Sequence, residues 1–600
     1  MNVGKKERQN PLLYLFSRVW EYSVGQRMNI VLFSSMFVVA RCIDLFCQPM
    51  IWAKVMNVIQ NSGITQNSIK TLLGLLALTF VIDLVFWSLH GPARLLERMN
   101  AFVARINYRK RLISGVMALP VEWHVEHHSG DTNDKVEKGT GALQRFGEGS
   151  FNVINCFVEL VGSFIVLTYF SPPAAISVTV MILITIWITV RFDRVLLGQY
   201  EKLNHFENQI EARVLDSISN IMTVIILRVE KQIFKAIVHQ IEKPLDLFRT
   251  NIRLDEIKWF LTNMCCNIMT VLVLGIYFWQ NIGAEGGVLI GSVYLLIQYL
   301  GKISQLFFRF TEMYGQILQN KAKVMNSEEL TKDFRPESSI DHVLLRDWQT
   351  LEISNLHFSY HSQDKGDLHL SDICLTIQRG QKIALVGDSG DGKTTLLKVI
   401  RNLYHPRRLS LLVDGKSVPQ GFEGIARDIA LVPQDPEIFA TTIMENITLG
   451  AEYDMDFVRR FTDMACFTEV AEKLPKKFDS SIKEKGVNLS GGQKQRLALS
   501  RGLLACSDKD IVLLDEPTSS VDTGTEMQIY RNIFEEFEGK VIISSVHRLH
   551  LLTLFDCIYV FDRGMIVGSG TLVELLESCP KLATAWKQYM DTGDGQSDTV

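Results

Sequence analysis

Gln381–Thr395 reads QKIALVGDSGDGKTT and decides the fold expected for the second half of the chain. Its apolar start, Ile383–Val386, predicts a buried strand, and the residues that follow match the pattern G-x-x-x-x-G-K-[ST] of a phosphate-binding loop. In such a loop, glycines let backbone N–H groups turn towards a polyphosphate, and the next helix adds the positive end of its dipole. We expect Lys393 to reach the β- and γ-phosphates and the Thr394 hydroxyl to bind Mg²⁺.

Length and composition indicate a protein with two different halves. A chain of 600 residues is expected to hold more than one domain. Its formal charge of −4 gives no support to a nucleic-acid-binding role. The ten cysteines are scattered and include no C-x-x-C pair, so no disulfide framework is indicated. Long apolar runs fill the first half, whereas the second half reads as a soluble α/β protein.

Apolar runs in the first half predict six membrane-spanning helices, because each approaches the length needed to cross a hydrocarbon layer of about 30 Å. They are Asn29–Val58, Leu72–Leu89, Phe151–Phe170, Ile176–Val190, Trp259–Trp279 and Val288–Phe308. Lys and Arg are dense in segments 94–146 and 191–258, which places these segments and both chain ends in the cytoplasm. Before the first run, Leu12–Trp20 is an amphipathic stretch expected to lie along the membrane surface.

The two basic segments are too long to be simple connections. They predict helices that continue beyond the bilayer, and each contains a break where the chain can turn back. We expect these breaks at residues 119–132 and around Arg213–Thr223.

Several ionisable residues lie inside the predicted spans. Charges at that depth are costly and usually face a cavity or one another. Arg41 and Asp44 are three residues apart on one helix and are expected to neutralise each other. Asp83 and Lys302 are candidates for the lining of a substrate cavity.

After residue 325 the chain becomes polar, and strand-like runs then alternate with helical ones, which predicts a sheet flanked by helices. In this half IVLLDE, residues 511–516, is an apolar strand that ends in two carboxylates. Asp515 is placed to hold the hydration shell of Mg²⁺, and Glu516 to polarise an attacking water.

Leu489–Gln493 reads LSGGQ and follows the phosphate loop in the chain. With the strand-end carboxylates after it, this order of motifs resembles the ATP-binding cassette (ABC) transporter family over nearly the whole chain. Six spans before one cassette resemble an exporter-type half-transporter. The resemblance implies a helical membrane domain, with six transmembrane helices and long cytoplasmic extensions, fused to an α/β P-loop NTPase domain.

The resemblance also implies the division of the chain into domains. The expected parts are a cytoplasmic N-terminus with an interfacial helix (1–27), a transmembrane domain with two coupling helices (28–325), a linker (326–345), an ATP-binding cassette (346–587) and a polar tail (588–600).

Further roles follow from matching the family's motifs residue by residue. Tyr360 is expected to stack on adenine, Gln434 to sense the γ-phosphate, and His547 to bind it as the switch histidine. The implied ATP-binding residues are Tyr360, Gly387, Asp388, Ser389, Gly390, Asp391, Gly392, Lys393, Thr394, Thr395, Gln434 and Asp515. The implied catalytic residues are Glu516, His547 and Lys393, and the implied Mg²⁺ ligands are Thr394, Gln434 and Asp515. The signature residues expected to act on the ATP of a partner are Ser490, Gly491, Gly492 and Gln493.

These roles imply ATP-driven export or flipping of an amphipathic substrate, such as a lipid, a lipid-linked glycan, a peptide or a drug-like molecule, by alternating access of a dimer. The intact Glu516 favours a homodimer, with a related half-transporter as the alternative partner. Membrane lipids are further partners, and the bacterial inner membrane, with the cassette in the cytoplasm, is the expected location. The alternative to an exporter is a channel or channel regulator on the same scaffold, gated by ATP without pumping. The intact catalytic set argues against it.

Overall fold

The computed structural model describes residues 10–127, 129–170, 172–282, 288–334, 347–360, 369–482 and 489–591. The chain forms two compact units, the first comprising residues 1–119 and 127–334, and the second residues 120–126 and 335–600. The division after Phe334 falls inside the expected linker 326–345. Residues 326–332 of that linker are helical, and residues 335–345 lie outside the described part.

The described part of the first unit is helical. Its helices are α1 (Pro11–Tyr22), α2 (Arg27–Ser62), α3 (Gln66–Met117), α5 (Ser129–Glu148), α6 (Ser150–Phe170), α7 (Pro172–Ser219), α8 (Ile221–Ile226), α9 (Glu230–Glu242), α10 (Leu245–Gln280) and α11 (Ile290–Glu329). The short helix α4 (Val121–Glu126) is grouped with the second unit. Helix α1 contains the expected interfacial stretch and buries one face, which includes Tyr14, Leu15 and Val19.

Five helical stretches of the described chain are long and apolar enough to cross a membrane. They are Arg27–Ser62, Gln66–Met117, Ser129–Tyr169, Ala175–Ser219 and Glu230–Gln280. The first five predicted spans lie in these stretches, except that Phe170 is one residue beyond the third. The sixth, Val288–Phe308, lies almost entirely in the 40-residue helix α11, which is not one of the five. Gln298, Lys302 and Gln305 are polar residues that interrupt the apolar run of this sixth span.

Each expected break contains an interruption of the long helices. Helix α4 lies inside the first predicted break. The second interruption is at Asn220, between the end of α7 at Ser219 and the start of the short helix α8 at Ile221, and it falls within the predicted range. Ser217 donates its hydroxyl to the Arg213 carbonyl (2.8 Å), so this polar residue is accommodated within the helix. The Asn220 amide donates to the Asp216 carbonyl (2.9 Å).

Helix α11 packs against α2, α5, α6 and α10 of the first unit. Tyr299 is fully buried and donates to the Leu45 carbonyl of α2 (3.0 Å). Further along α11, the hydroxyls of Tyr108 and Ser327 are 2.7 Å apart and join α3 to α11. Helices α7 and α10 pack mainly against each other.

The second unit contains two sheets. A four-stranded antiparallel sheet has the order β2-β1-β4-β5, and a six-stranded sheet has the order β10-β9-β3-β8-β7-β6. The strands are β1 (Thr350–Phe358), β2 (Leu370–Gln378), β3 (Lys382–Val386), β4 (Arg408–Val413), β5 (Lys416–Ser417), β6 (Ile429–Val432), β7 (Ile511–Asp515), β8 (Val541–Ser545), β9 (Cys557–Asp562) and β10 (Met565–Gly570). In the larger sheet β9, β3, β8, β7 and β6 are parallel, and β10 is antiparallel to β9.

Helices surround these sheets. They are α12 (Lys393–Ile400), α13 (Ile443–Thr448), α14 (Met455–Met464), α15 (Thr468–Glu472), α16 (Gly491–Ala505), α17 (Thr523–Glu536), α18 (Leu572–Ser578) and α19 (Pro580–Asp591). Strand β7 is buried on both faces, as expected for a central parallel strand. Val512 and Leu514 point into one hydrophobic core and Ile511 and Leu513 into another, so the alternation of side chains along the strand fills two cores.

Candidate functional site

Four neighbouring parallel strands end at the same edge of the larger sheet. In register, Leu385 of β3 pairs with Ser545 of β8, and Asp515 of β7 also pairs with Ser545. Val432 of β6 pairs with Leu514 of β7. The carboxyl ends of parallel strands are the usual place for ligands in open α/β sheets. The predicted phosphate loop and the residues that follow β6, β7 and β8 therefore meet at one edge.

The phosphate loop joins β3 to α12. Gly390 and Gly392 have φ angles of 92° and 102°, in the left-handed region that favours glycine. A Cβ at Gly392 would lie 2.8 Å from the Leu370 side chain, so this glycine also permits close packing. Lys393 is buried, and its ammonium donates to the carbonyls of Gly387 (2.7 Å) and Asp388 (2.8 Å). Burial lowers the pKa of Lys393, although nearby carboxylates oppose that shift.

Three side chains form a hydrogen-bonded group behind the loop. The Thr394 hydroxyl donates to Asp515 Oδ1 (2.8 Å), and the Ser545 hydroxyl donates to the same oxygen (2.9 Å). The backbone N–H of Glu516 donates to Ser545 Oγ (3.0 Å). Ser545 therefore orients both acidic residues. Sequence reasoning missed it, although a serine at the end of the strand Val541–Ser545, two residues before His547, is a visible signal.

Glu516 is the meeting point of the strand-end residues. Its Oε2 accepts a hydrogen bond from the Gln434 amide (2.8 Å), and its Oε1 lies 2.6 Å from His547 Nε2. The backbone of Glu516 has a φ of 45°, in the left-handed region that is costly for a residue with a side chain. The structure thus brings together three residues that are spread over more than 100 positions of the chain.

Tyr360 lies beside the phosphate loop with an accessible ring. Its hydroxyl is 3.2 Å from Thr395 Oγ1, and its side chain is about 40% exposed. The rings of Phe358, His369 and Tyr404 contact it edge-on. These contacts fix the ring and leave it available for stacking on a planar ligand.

The LSGGQ stretch forms the start of helix α16. Ser490 is the N-cap and makes a capping box with Gln493: the Gln493 N–H donates to Ser490 Oγ (3.3 Å), and the Ser490 N–H donates to Gln493 Oε1 (3.0 Å). A Cβ at Gly492 would lie 2.8 Å from the Ser520 carbonyl, which explains locally why a glycine is needed there. No contact recorded for the described residues joins this stretch to the phosphate loop.

Gln495 connects the start of α16 to the strand-end acid. It is buried, and its amide donates to Ser519 Oγ (2.8 Å) and to the Glu516 carbonyl (3.3 Å). Its carbonyl oxygen accepts from the Ser520 N–H (2.7 Å). Sequence reasoning missed this residue because only its contacts distinguish it from other glutamines.

The two candidate cavity residues of the first unit have different surroundings. Asp83 accepts a hydrogen bond from the Gln48 amide (2.9 Å). Lys302 has no carboxylate within 4 Å among the residues that the structure describes. The structure therefore provides no direct contact between these two side chains.

Arg41, near Lys302 in the first unit, belongs to a network of paired charges. It is 2.6 Å from Asp44, as expected, and it also pairs with the buried Glu159 of α6. Arg309 of α11 lies 3.4 Å from Glu159. Glu159 thus links three helices through ion pairs, a contact that the spacing along the sequence did not reveal.

Two family profiles match the chain. The profile described as the ABC transporter transmembrane region matches residues 14–306, and the profile described as ABC transporter matches residues 370–519. The chain belongs to the ABC transporter family. The order of the two matches, membrane region first, is that of an exporter-type half-transporter. The chain is therefore a membrane-spanning transporter subunit that binds and hydrolyses ATP.

Named relatives and a solved structure agree with this assignment. The mitochondrial iron-sulfur clusters transporter ATM1 of Candida glabrata is 28% identical over 507 residues, 80% of this chain and 67% of the relative. A multidrug resistance ABC transporter ATP-binding and permease protein of Lactococcus lactis is 26% identical over 503 residues, 81% of this chain and 82% of the relative. The structure of a bacterial Atm1-family ABC exporter with ATP bound matches with a TM-score of 0.80 and 21% identity, covering 94% of this chain and 99% of that chain. At that identity the likeness shows the fold alone.

Ser545→Ala tests whether the group behind the loop controls hydrolysis. The substitution removes one hydrogen bond to Asp515 and one from the Glu516 backbone. A hydrogen bond contributes about 1 kcal/mol, and a change of about 1.4 kcal/mol in the activation free energy alters a rate constant tenfold. We therefore expect kcat for ATP hydrolysis to fall about tenfold. The ATP dissociation constant should stay within about threefold of the parental value. Steady-state hydrolysis and equilibrium ATP binding by the purified protein measure both quantities.

Ser544→Ala is the matched control. Ser544 is equally buried on the same strand, but its hydroxyl is 2.8 Å from the Tyr530 hydroxyl, away from the acids. Equal losses of kcat in the two variants would show that the effect of Ser545→Ala is general destabilisation.

Proposed function

We propose that the protein is an ATP-driven exporter, in which hydrolysis at the cassette moves an amphipathic substrate across a membrane by alternating access of a dimer. The observation that carries the proposal is the convergence of Gln434 and His547 on the Glu516 carboxylate, beside the phosphate loop. A structural carboxylate at this place would not need two polar partners from neighbouring strand ends. A general base does need such partners, because they fix its orientation towards a water.

In the proposed reaction, Glu516 takes a proton from the attacking water as the water oxygen bonds to the γ-phosphorus. The bond between the γ-phosphorus and the oxygen that bridges the β- and γ-phosphates breaks, and ADP and inorganic phosphate are the products. Lys393 is the cation of the loop and stabilises charge on the β- and γ-phosphates. His547 and Gln434 hold the base in place and lie where they can contact the γ-phosphate.

Thr394, Gln434 and Asp515 are the proposed ligands of Mg²⁺. A hydroxyl, an amide carbonyl and a carboxylate are the oxygen ligands that this ion prefers, and Thr394 Oγ1 and Asp515 Oδ1 are already 2.8 Å apart. The residues present therefore fit the ion. When bound, Mg²⁺ neutralises part of the phosphate charge.

The proposed active unit is a homodimer with shared ATP sites. Ser490 and Gln493 cap helix α16 within their own chain, which presents the positive end of a 15-residue helix. We propose that this end, with Gly491 and Gly492, faces the phosphates of ATP bound to a second copy. Glu516 is present rather than substituted, so both sites of a homodimer are competent. One chain alone is then expected to bind ATP but to hydrolyse it poorly.

Closure of the two cassettes on ATP is proposed to move the coupling helices and turn the membrane cavity outward. Hydrolysis then separates the cassettes and resets the cycle. Helix α4 and the short helix α8 are the proposed coupling elements, because each interrupts a long helix at the cytoplasmic end of the membrane domain. The proposed location is a bacterial inner membrane with the cassette in the cytoplasm.

The proposed substrate is amphipathic, with a polar end that Lys302 contacts. The other charges near it, Arg41, Asp44, Glu159 and Arg309, are engaged in ion pairs with one another. Among the residues that the structure describes, Lys302 has no ion-pair partner, and an ammonium in that position at this depth favours contact with a polar or anionic group. The relatives' names include an iron-sulfur clusters transporter and a multidrug transporter, so they do not single out one compound.

Glu516→Gln tests the catalytic proposal. The amide keeps the size of the side chain but cannot accept a proton from water, so ATP turnover should fall by at least about 10²-fold. ATP binding should remain within about threefold of the parental value. Native mass spectrometry with ATP should show two chains per particle, since the closed dimer cannot proceed to hydrolysis. Turnover at the parental rate would refute the role of Glu516, and a single-chain mass would refute the shared site.

Lys302→Met tests the substrate proposal. Lipids, lipid-linked glycans, peptides and drug-like amphiphiles would first be screened for stimulation of ATP hydrolysis in lipid nanodiscs. For a stimulating compound with a polar end, we expect the half-maximal concentration to rise about tenfold in the variant, because a charge-assisted contact is lost. Basal hydrolysis should not change.

Lys54→Met, at an exposed position of α2, is the control and should leave stimulation unchanged. If the Lys302 variant responds to the compound as the parental protein does, Lys302 does not contact the substrate. If only strictly polar solutes stimulate hydrolysis in the screen, the proposed amphipathic substrate class is refuted.

A further inference from the structure

The phosphate loop of this chain is unusually acidic for a site that binds a polyphosphate. Asp388 and Asp391 stand within GDSGDGK, so the loop carries two carboxylates and one lysine, Lys393. Like charges next to a binding site for phosphates weaken binding unless another group neutralises them.

A second cation near the phosphate loop comes from the C-terminal helix, α19. Lys581, the second residue of α19, reaches the loop from 190 residues away in the chain. Its ammonium donates to Asp391 Oδ2 (2.9 Å) and lies 3.2 Å from Asp388 Oδ2. It also donates to Asp562 Oδ1 (2.7 Å) and to the Phe561 carbonyl (3.1 Å), both in β9.

Asp391 stabilises the conformation of the phosphate loop through hydrogen bonds. Its side chain is about 10% exposed, whereas that of Asp388 is about 83% exposed. Asp391 Oδ2 accepts from the Asp388 N–H (2.8 Å), and Oδ1 accepts from the Arg563 N–H (3.1 Å). The same carboxylate therefore fixes the curl of the loop and ties it to the turn between β9 and β10.

The pKa shifts of Asp391 and Lys581 both favour the charged forms of these side chains. Burial works against ionisation of Asp391, but hydrogen bonds from Lys581 and from the backbone of Arg563 and Asp388 hold its pKa below the usual value. Burial also opposes the charged form of Lys581, yet its hydrogen bonds to Asp562, Asp391 and Asp388 raise its pKa. Both groups are thus charged at neutral pH.

We propose that Lys581 is a positioning residue for ATP binding, which holds the phosphate loop through Asp391 and offsets part of the negative charge that Asp388 and Asp391 place beside the phosphates. Lys581 does not touch the nucleotide in this account. It acts on the shape and the charge of the loop, and it makes the C-terminal helix part of the ATP site.

This inference rests on the proposed assignment of Gly387–Thr395 to the phosphates of ATP. Binding of ATP by the parental protein tests that assignment separately. A parental protein that does not bind ATP contradicts the proposed function, whereas a parental protein that binds normally makes the comparison with the Lys581 variants informative.

Lys581→Met in the full-length protein tests the proposal. The variant keeps the aliphatic length of the side chain and removes its charge, so we expect the dissociation constant for ATP to rise about tenfold, as for loss of a charge-assisted contact. KM for ATP should rise in parallel, and kcat at saturating ATP should stay within about twofold. Lys581→Arg should restore most of the affinity. A fall in kcat with unchanged ATP affinity would overturn the proposal.

Two further variants separate positioning from simple stability. Lys587→Met, at an exposed position of the same helix, should leave ATP affinity unchanged. In an Asp391→Ser background, Lys581→Met should have a much smaller effect, because the buried carboxylate that needs neutralisation is gone. A full tenfold effect of Lys581→Met in that background, or an equal loss of affinity in the Lys587 variant, would contradict the proposal.

Discussion

The parallel pairing of β3, β8, β7 and β6 is the constraint on which the ATP site depends. The register of these strands determines where each strand ends. It therefore determines the distances between the site residues that follow the strands, which are far apart in the sequence. The phosphate loop, Glu516 and His547 come from three adjacent strands, and Gln434 comes from the fourth. A slip of one residue would turn every side chain of β7 to the opposite face of the sheet and separate these residues. Burial of β7 on both faces makes such a slip costly.

A different constraint shapes the first unit. Hydrocarbon leaves backbone polar groups no partner except the helix itself, which explains why the membrane-spanning part of α3 is continuous helix. The same medium makes isolated charges energetically costly, and Arg41 and Glu159 accordingly pair across helices. Lys302 has no carboxylate within 4 Å in the described part of the chain, and for that reason it is the residue that we connect with substrate.

Local motifs made much of the second unit predictable, because a phosphate loop or an apolar strand is a property of adjacent residues. The strand ending at Asp515 and the helix beginning at Lys393 required no knowledge of the rest of the chain. The contacts of Ser545, Gln495 and Lys581 were not predictable, since each depends on how distant segments pack.

The central claim is that this chain uses ATP hydrolysis to drive a solute uphill. The protein would be reconstituted in sealed vesicles with cassettes facing outward, and a solute that stimulates hydrolysis would be measured inside after ATP addition. The account predicts accumulation above the external concentration, which stops when ATP is exhausted and does not occur with a non-hydrolysable analogue. Equilibration without accumulation, supported equally by the analogue, would contradict pumping and indicate a channel gated by ATP.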